Sequence, residues 1–303
     1  MTTMTERQAP TYNRQRLLLF LLEQTGGQLS KMDFQKLLFL AHQAYSFNYY
    51  EFVPYHFGCY SFQAADDLEG LEHKGWIETT DRHISLKDKP YLGPGIKRDE
   101  RQEMAVLMHR YRSLRGDSLL KEVYTRFPYY AINSRIAERL VTEDTIEEIG
   151  KQKALFSQTG TRLFTIGYEG LSLEAYLNRL IQHNVRLLCD VRKNPLSRKF
   201  GFSKSTLSAV LPKLGIEYRH IPELGIASEK RRNLETREDY EHLFREYTLQ
   251  LPQREPHLSR LNDWFGEFER VALTCYEEHP ESCHRSRVSG YLSDRWNLKV
   301  THL

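Results

Sequence analysis

The sequence predicts an α/β fold for its C-terminal half, a mostly parallel sheet flanked by helices, preceded by a mainly helical, winged-helix-like N-terminal domain. Three observations predict it. From Arg162 onward, apolar runs of strand length alternate with segments of helical period, the order from which parallel sheets are built. Before that point the pattern is mainly helical, with an extended stretch near Phe52 to Gly58 and with Trp76-Ile77-Glu78 and His83-Ile84-Ser85-Leu86 reading as a short hairpin. Polar Ser157-Gln158-Thr159-Gly160 separates the two regimes as a linker. The expected division is a winged-helix-like module over 1–90, a helical extension and linker over 91–160, and an α/β domain over 161–303.

In the first module, residues 14 to 48 read as two amphipathic helices broken at Gly26-Gly27, with Ser30 capping the second. Phe52 to Gly58 reads as extended and Ala64 to Lys74 as a helix. The prolines and glycines of Pro90 to Gly95 punctuate the chain. Helices are then expected from about Arg98 to Arg115 and from Ser118 to Arg126, and two shorter ones broken near Thr142.

The second half begins with a strand, Leu163 to Gly167, a helix capped by Ser172 and running to His183, and a strand, Val185 to Val191. Together these read as a compact βαβ unit with parallel pairing. Ser203 caps a helix that Gly215 closes, and Ile216 to Ile221 is the next strand. Helices around 237 to 250 and 257 to 268 lead to a strand from Val271 to Tyr276, a helix from Cys283 to Trp296 and a last strand, Leu298 to Leu303.

Composition narrows the function. The net charge is +3 and no apolar run approaches the length of a membrane span, so bulk electrostatic binding and bilayer insertion are set aside while a local basic face remains open. The four cysteines are too few and too irregular for a disulfide scaffold, and a cytoplasmic protein with reduced thiols is expected.

Ligands of open parallel sheets bind beyond the carboxyl ends of the strands, where loops and helix N-termini converge. Those ends here carry Tyr168-Glu169, Asp190-Val191-Arg192-Lys193, His220 with Glu223, and the run Cys275 to Arg287, which crowds two thiols, two imidazoles and three carboxylates together. Asp190 and Glu277 are candidates for general acid-base work, with Tyr168, His284 and Glu169 as candidate partners; an Asp190 ion pair with Arg192 or Arg285 is the structural alternative. Arg192, Arg285, Lys193, Ser197, Arg198 and Lys199 are candidate anion-binding residues. Cys283, Glu223, His220 and Phe202 should line the cleft, with Phe200 or Phe202 available to stack on a base.

Cys283 before two arginines at a helix N-terminus is a candidate thiolate. A phosphatase-type loop, however, has its arginine where Ser289 stands. Cys275, His279, Cys283 and His284 have the composition of a zinc site, but the spacing is irregular and adjacent Cys283 and His284 are poorly placed to share a tetrahedral ion. No metal and no cofactor are therefore expected.

The C-terminal half resembles the bacterial domain-of-unknown-function family 488. The resemblance rests on Thr165-Ile166-Gly167-Tyr168-Glu169-Gly170, Asp190-Val191-Arg192 with Pro195 and Ser197, Gly201-Phe202-Ser203, Tyr218 through Leu224-Gly225, Cys275-Tyr276-Glu277 and Cys283-His284-Arg285, covering about residues 162 to 303. Ile226 stands where that family commonly has a second glycine, and Glu278 where it commonly has a lysine. The resemblance implies an α/β domain with a polar cleft and names no reaction.

The reading that joins these features is a protein acting on nucleic acid, DNA ahead of RNA, with hydrolytic processing such as repair, removal of modified or damaged bases, or defence against foreign DNA. The first domain would hold duplex or dock a protein partner. An enzyme on a small anionic metabolite using Cys283, and a non-catalytic adaptor or regulator, are the alternatives.

Overall fold

The computed structural model describes residues 8–45, 48–87, 95–231 and 234–303. The punctuation expected at Pro90 to Gly95 lies outside them except for Gly95. The chain divides into two compact units, Met1–Lys153 and Ala154–Leu303.

The first unit is mostly helical. Its elements are α1 (Asn13–Gln24), β1 (Gln28–Ser30), α2 (Lys31–Ala44), β2 (Val53–Tyr55), β3 (Gly58–Tyr60), α3 (Phe62–His73), β4 (Ile77–Thr79), β5 (His83–Leu86), α4 (Arg98–Arg110), α5 (Asp117–Arg126), α6 (Ala137–Leu140) and α7 (Glu143–Leu155). The expected hairpin is β4–β5, and β1 joins it on the far side of β5 to give the order β1-β5-β4. The stretch expected simply as extended is half of a second hairpin, β2–β3. Ser30 caps α2 by accepting from Asp33 N at 2.9 Å, an arrangement that stabilises a helix start by about 1 kcal/mol. Phe39 sits edge-on to Phe52, Phe127 and Tyr130 at centroid distances of 5.2, 5.1 and 4.5 Å, tying α2 to the start of β2 and to the segment after α5.

The second unit is an α/β domain. Its strands are β6 (Arg162–Gly167), β7 (Leu187–Asp190), β8 (Glu217–His220), β9 (Arg270–Cys275) and β10 (Val300–His302), and its helices are α8 (Leu173–Gln182), α9 (Lys204–Val210), α10 (Arg237–Gln250), α11 (Glu255–Phe268) and α12 (His284–Trp296). All neighbouring strands are parallel, in the order β10-β6-β9-β7-β8. The expected pairing of the first two strands is corrected here, because β9 lies between β6 and β7. Every residue of β9 is buried, and a strand buried on both faces belongs at the centre of such a sheet.

Helices cover both faces. Leu163, Leu187, Cys189, Val271 and Leu273 point into a core shared with Phe244 and Tyr247 of α10, Leu258 and Leu261 of α11, and Val288 and Leu292 of α12. On the opposite face, the Tyr176 hydroxyl of α8 donates to Thr274 Oγ1 at 2.8 Å. Ser172 and Ser203 cap α8 and α9 through Ala175 N and Thr206 N. The α9 segment turns into a 3-10 turn at Leu211–Leu214, where Pro212 removes a helical donor, and Gly215 closes it at φ +74°.

Candidate functional site

The carboxyl ends of β6, β7 and β9 open into a cleft of about 480 Å³. Its lining includes Tyr168, Arg192, Lys193, Arg198, Cys275 and His284, with Leu196, Ser197, Lys199 and Tyr276 around them. Segments that follow β6, β7 and β9 supply most of this lining, and Ile226, beyond β8, completes it.

The wall begins with Asp190, the last residue of β7. It is wholly buried, and its two oxygens accept from Arg192 N, Nε and Nη2 and from the Tyr218 hydroxyl at 3.0, 2.9, 2.6 and 2.8 Å. Burial followed by the nearby Asp190 charge pushes the Tyr218 pKa upward. Arg192 uses its remaining Nη1 to donate to the Tyr168 hydroxyl and to Phe202 O, each at 2.9 Å. Burial works against the Arg192 charge, but the bonded carboxylate of Asp190 more than offsets it and the pKa stands above its ordinary value. Phe202 stacks on Tyr168 at 4.4 Å and 9°. The group Asp190, Arg192, Tyr168, Tyr218 and Phe202 is thus a closed scaffold, with the structural alternative for Asp190 realised in full.

Two glycines let loops approach that scaffold. A Cβ on Gly167 would lie 1.8 Å from Glu277 O, and one on Gly225 would lie 2.2 Å from Lys193 N. Both distances are far inside van der Waals contact, so the loops after β9 and β7 settle only over bare backbone.

The cations divide into two kinds. Lys193 and Arg198 are exposed at the cleft. Lys199 donates to Tyr168 O at 2.9 Å, and partial burial lowers its pKa against the opposing pull of Glu169. Arg285, expected as an anion holder, is wholly buried and its terminal nitrogens donate to Glu277 O and Glu278 O. Its role is to hold the β9–α12 loop in place. Ser197 Oγ accepts from Lys199 N at 3.1 Å and shapes the loop after β7.

Glu169 is half-buried, and its Oε2 accepts from Glu278 N at 3.1 Å. Its charge raises the pKa of Tyr276, whose ring is exposed in the cleft. Asp190 is closed by Arg192 and Tyr218, while Glu277 lies in the loop that Arg285 holds.

Of the residues expected to line the cleft, Phe202 lies beneath Tyr168, and Glu223 lines a neighbouring cavity of about 290 Å³. His220 turns its Nε2 to Arg192 O at 2.8 Å. Cys283 is fully buried, and burial, then its contact with Cys275, pushes its thiol well above the ordinary pKa. That burial disfavours the charged thiolate and so argues against the helix-terminus reading.

Sequence reasoning also set aside a juxtaposition that the fold creates. Cys275 Sγ and Cys283 Sγ lie 3.6 and 3.9 Å from His284 Nδ1. Cys283 is extended, φ −133° and ψ 142°, while His284 opens α12. The break in backbone direction lets two adjacent side chains converge, which helical or strand geometry alone forbids. His279 is exposed and takes no part.

In the second unit, the parallel strands end in a cationic, partly aromatic cleft. Residues 172–292 match the family model described as domain of unknown function DUF488. No curated protein matches the chain. Among the described residues, no helix is long and apolar enough to cross a membrane.

Proposed function

We propose that the second unit acts on nucleic acid, DNA ahead of RNA, by accepting a phosphate-bearing segment or an extruded base at the strand-end cleft. The observation that supports this reading is the lining itself. Lys193 and Arg198 project beside an 86% exposed Leu196 and a 46% exposed Tyr276, a combination suited to neutralising phosphate while offering an apolar and an aromatic surface to a base.

For hydrolysis we assign the base to Glu169, the neighbour of cleft-lining Tyr168 with one oxygen accepting from Glu278 N, whose charge acts on Tyr276 and Lys199. Asp190 has its oxygens occupied by Arg192 and Tyr218. A general base needs an oxygen within reach of the proton it removes, which favours Glu169 in that role and Asp190 in positioning. Damaged or modified bases fit the cleft as substrates because they are the cheapest to unstack. Repair or defence against foreign DNA is the setting in which such a reaction belongs, within a cytoplasmic protein.

The first unit fits a docking role in this scheme. Its order of helix, strand, helix, hairpin, helix and second hairpin, with the sheet β1-β5-β4, supports the winged-helix-like reading. Yet the helix that precedes the hairpin, α3, carries Asp66, Glu69 and Glu72 and no lysine or arginine. Phosphates repel such a face, so a protein partner suits it better than duplex.

The test is a binding and turnover screen of duplex, single-stranded and modified DNA with RNA alongside, on wild type and Glu169→Gln. Turnover of a modified DNA that Glu169→Gln loses would support the reading. Absence of binding to every nucleic acid in moderate salt, together with turnover of a small anion that Cys283→Ser abolishes, would replace it with the metabolite enzyme.

A further inference from the structure

We propose that Cys275, Cys283 and His284 bind a single zinc-class divalent ion at the floor of the cleft, with its fourth position open to the ligand. The ligand atoms of the three residues all lie within 4.8 Å of one another. In a tetrahedral site with metal–sulfur and metal–nitrogen bonds of about 2.3 and 2.0 Å, sulfur and nitrogen stand about 3.5 Å apart. The two sulfur-to-Nδ1 separations are 3.6 and 3.9 Å, so an ion enters with little movement.

The histidine is set for that role by its other nitrogen. His284 Nε2 lies 3.0 Å from Val191 O; a carbonyl only accepts, so Nε2 carries the proton and Nδ1 presents its lone pair to the two sulfurs. An imidazole whose second nitrogen donates to a backbone carbonyl is the usual support of a metal-bound histidine. Val191 belongs to the loop after β7, Cys275 ends β9, and Cys283 and His284 start α12, so three separate elements converge on one point.

The chemistry selects the metal. Two sulfurs and an imidazole favour a borderline-soft ion such as zinc over magnesium or calcium. On binding, both thiols lose their protons to solvent, and the dication and two thiolates form a neutral centre suited to this buried location. Cys275 and His284 line the cleft and Cys283 does not, which directs the remaining coordination position toward the cleft. Three protein ligands with one open position are the arrangement of catalytic rather than structural zinc. A water or a ligand oxygen would occupy it, next to the Lys193 and Arg198 surface. The use of the ion in turnover rests on the proposed function, whereas its binding does not.

The experiment is a cobalt(II) titration of the reduced, chelator-treated full chain, read by the sulfur-to-cobalt charge-transfer band and the intense visible bands of tetrahedral cobalt. Saturation at about one ion per chain is expected, with both signals lost in Cys275→Ser/Cys283→Ser, which retains Cys59 and Cys189. X-ray absorption on the zinc-loaded wild type needs no variant and should show two sulfur neighbours at about 2.3 Å with nitrogen at about 2.0 Å. A wild type without these bands, bands that persist in the double variant, or an all-oxygen shell would overturn the proposal. So would a Cys275–Cys283 disulfide in a protein whose reduced form takes up no metal. DNA binding measured on the same samples separates the two readings: metal uptake without DNA binding sinks the nucleic-acid function and leaves the site, and the reverse sinks the site alone.

Discussion

Asp190 and Arg192 close on each other at the end of β7, with Arg192 Nη2 2.6 Å from Asp190 Oδ2 and both side chains buried. Removing one charge from such a pair leaves the other uncompensated, at a cost of about 3–5 kcal/mol. Asp190→Asn should therefore lower the urea midpoint sharply, and any loss of activity should follow loss of fold. Tyr218→Phe, which removes one donor to the same carboxylate, should cost about 1–2 kcal/mol.

Glu169 gives the opposite pattern. Glu169→Gln keeps the volume and weakens one bond to Glu278 N, so stability should change by about 1 kcal/mol or less. Turnover of the nucleic-acid substrate should fall by about 100-fold or more if this carboxylate is the base. Parallel unfolding and single-turnover measurements distinguish it from the Asp190 variant.

Gly167→Ala tests the approach of the β9–α12 loop. The added methyl would meet Glu277 O at 1.8 Å, and the backbone must move away. A loss of about 1–3 kcal/mol or more is expected, with cobalt binding weakened as the loop shifts. Unaltered stability would show that the loop lies elsewhere.

Alkaline pH should weaken the first unit through Cys59. Burial raises that thiol from 9.0 to about 12. Below pH 9 both folded and unfolded forms hold the proton and nothing is lost. Between about 9 and 12 the unfolded chain releases it first, so stability falls as pH rises. Lys36, whose pKa burial lowers from 10.5, acts in the opposite sense up to that value. The chemical-denaturation midpoint of Cys59→Ala should therefore decline less steeply above pH 9 than that of wild type.

Local chemistry was readable from the sequence. Ser30, Ser172 and Ser203 cap the helices they precede, and Gly215 takes the left-handed conformation expected of a helix stop. The alternation after Arg162 located all five strands of the parallel sheet, and their ends located the cleft. Strand order was not readable, because the place of β9 between β6 and β7 depends on burial summed over the whole domain. Nor was β1, whose three residues owe their extended form to pairing with a distant strand.

The site divides the same way. Tyr168, Arg192 and His284 were found from position along the chain, but the sequence cannot say that Asp190 turns inward to Arg192 while Lys193 faces out. Adjacency in sequence argues against Cys283 and His284 sharing an ion, because regular backbone separates adjacent side chains. The extended-to-helical break between them removes that objection, and no local composition announces it.

The central claim, that the strand-end cleft holds nucleic acid, is tested most directly by salt-titrated binding of duplex and single-stranded DNA. Wild type should be compared with Lys193→Ala/Arg198→Ala, whose side chains are exposed and leave the Asp190–Arg192 scaffold intact. Weaker binding is predicted, with the slope of log affinity against log salt shallower by about 0.7–0.9 for each phosphate contact removed. Equal affinity and equal slope in the two proteins would contradict the account.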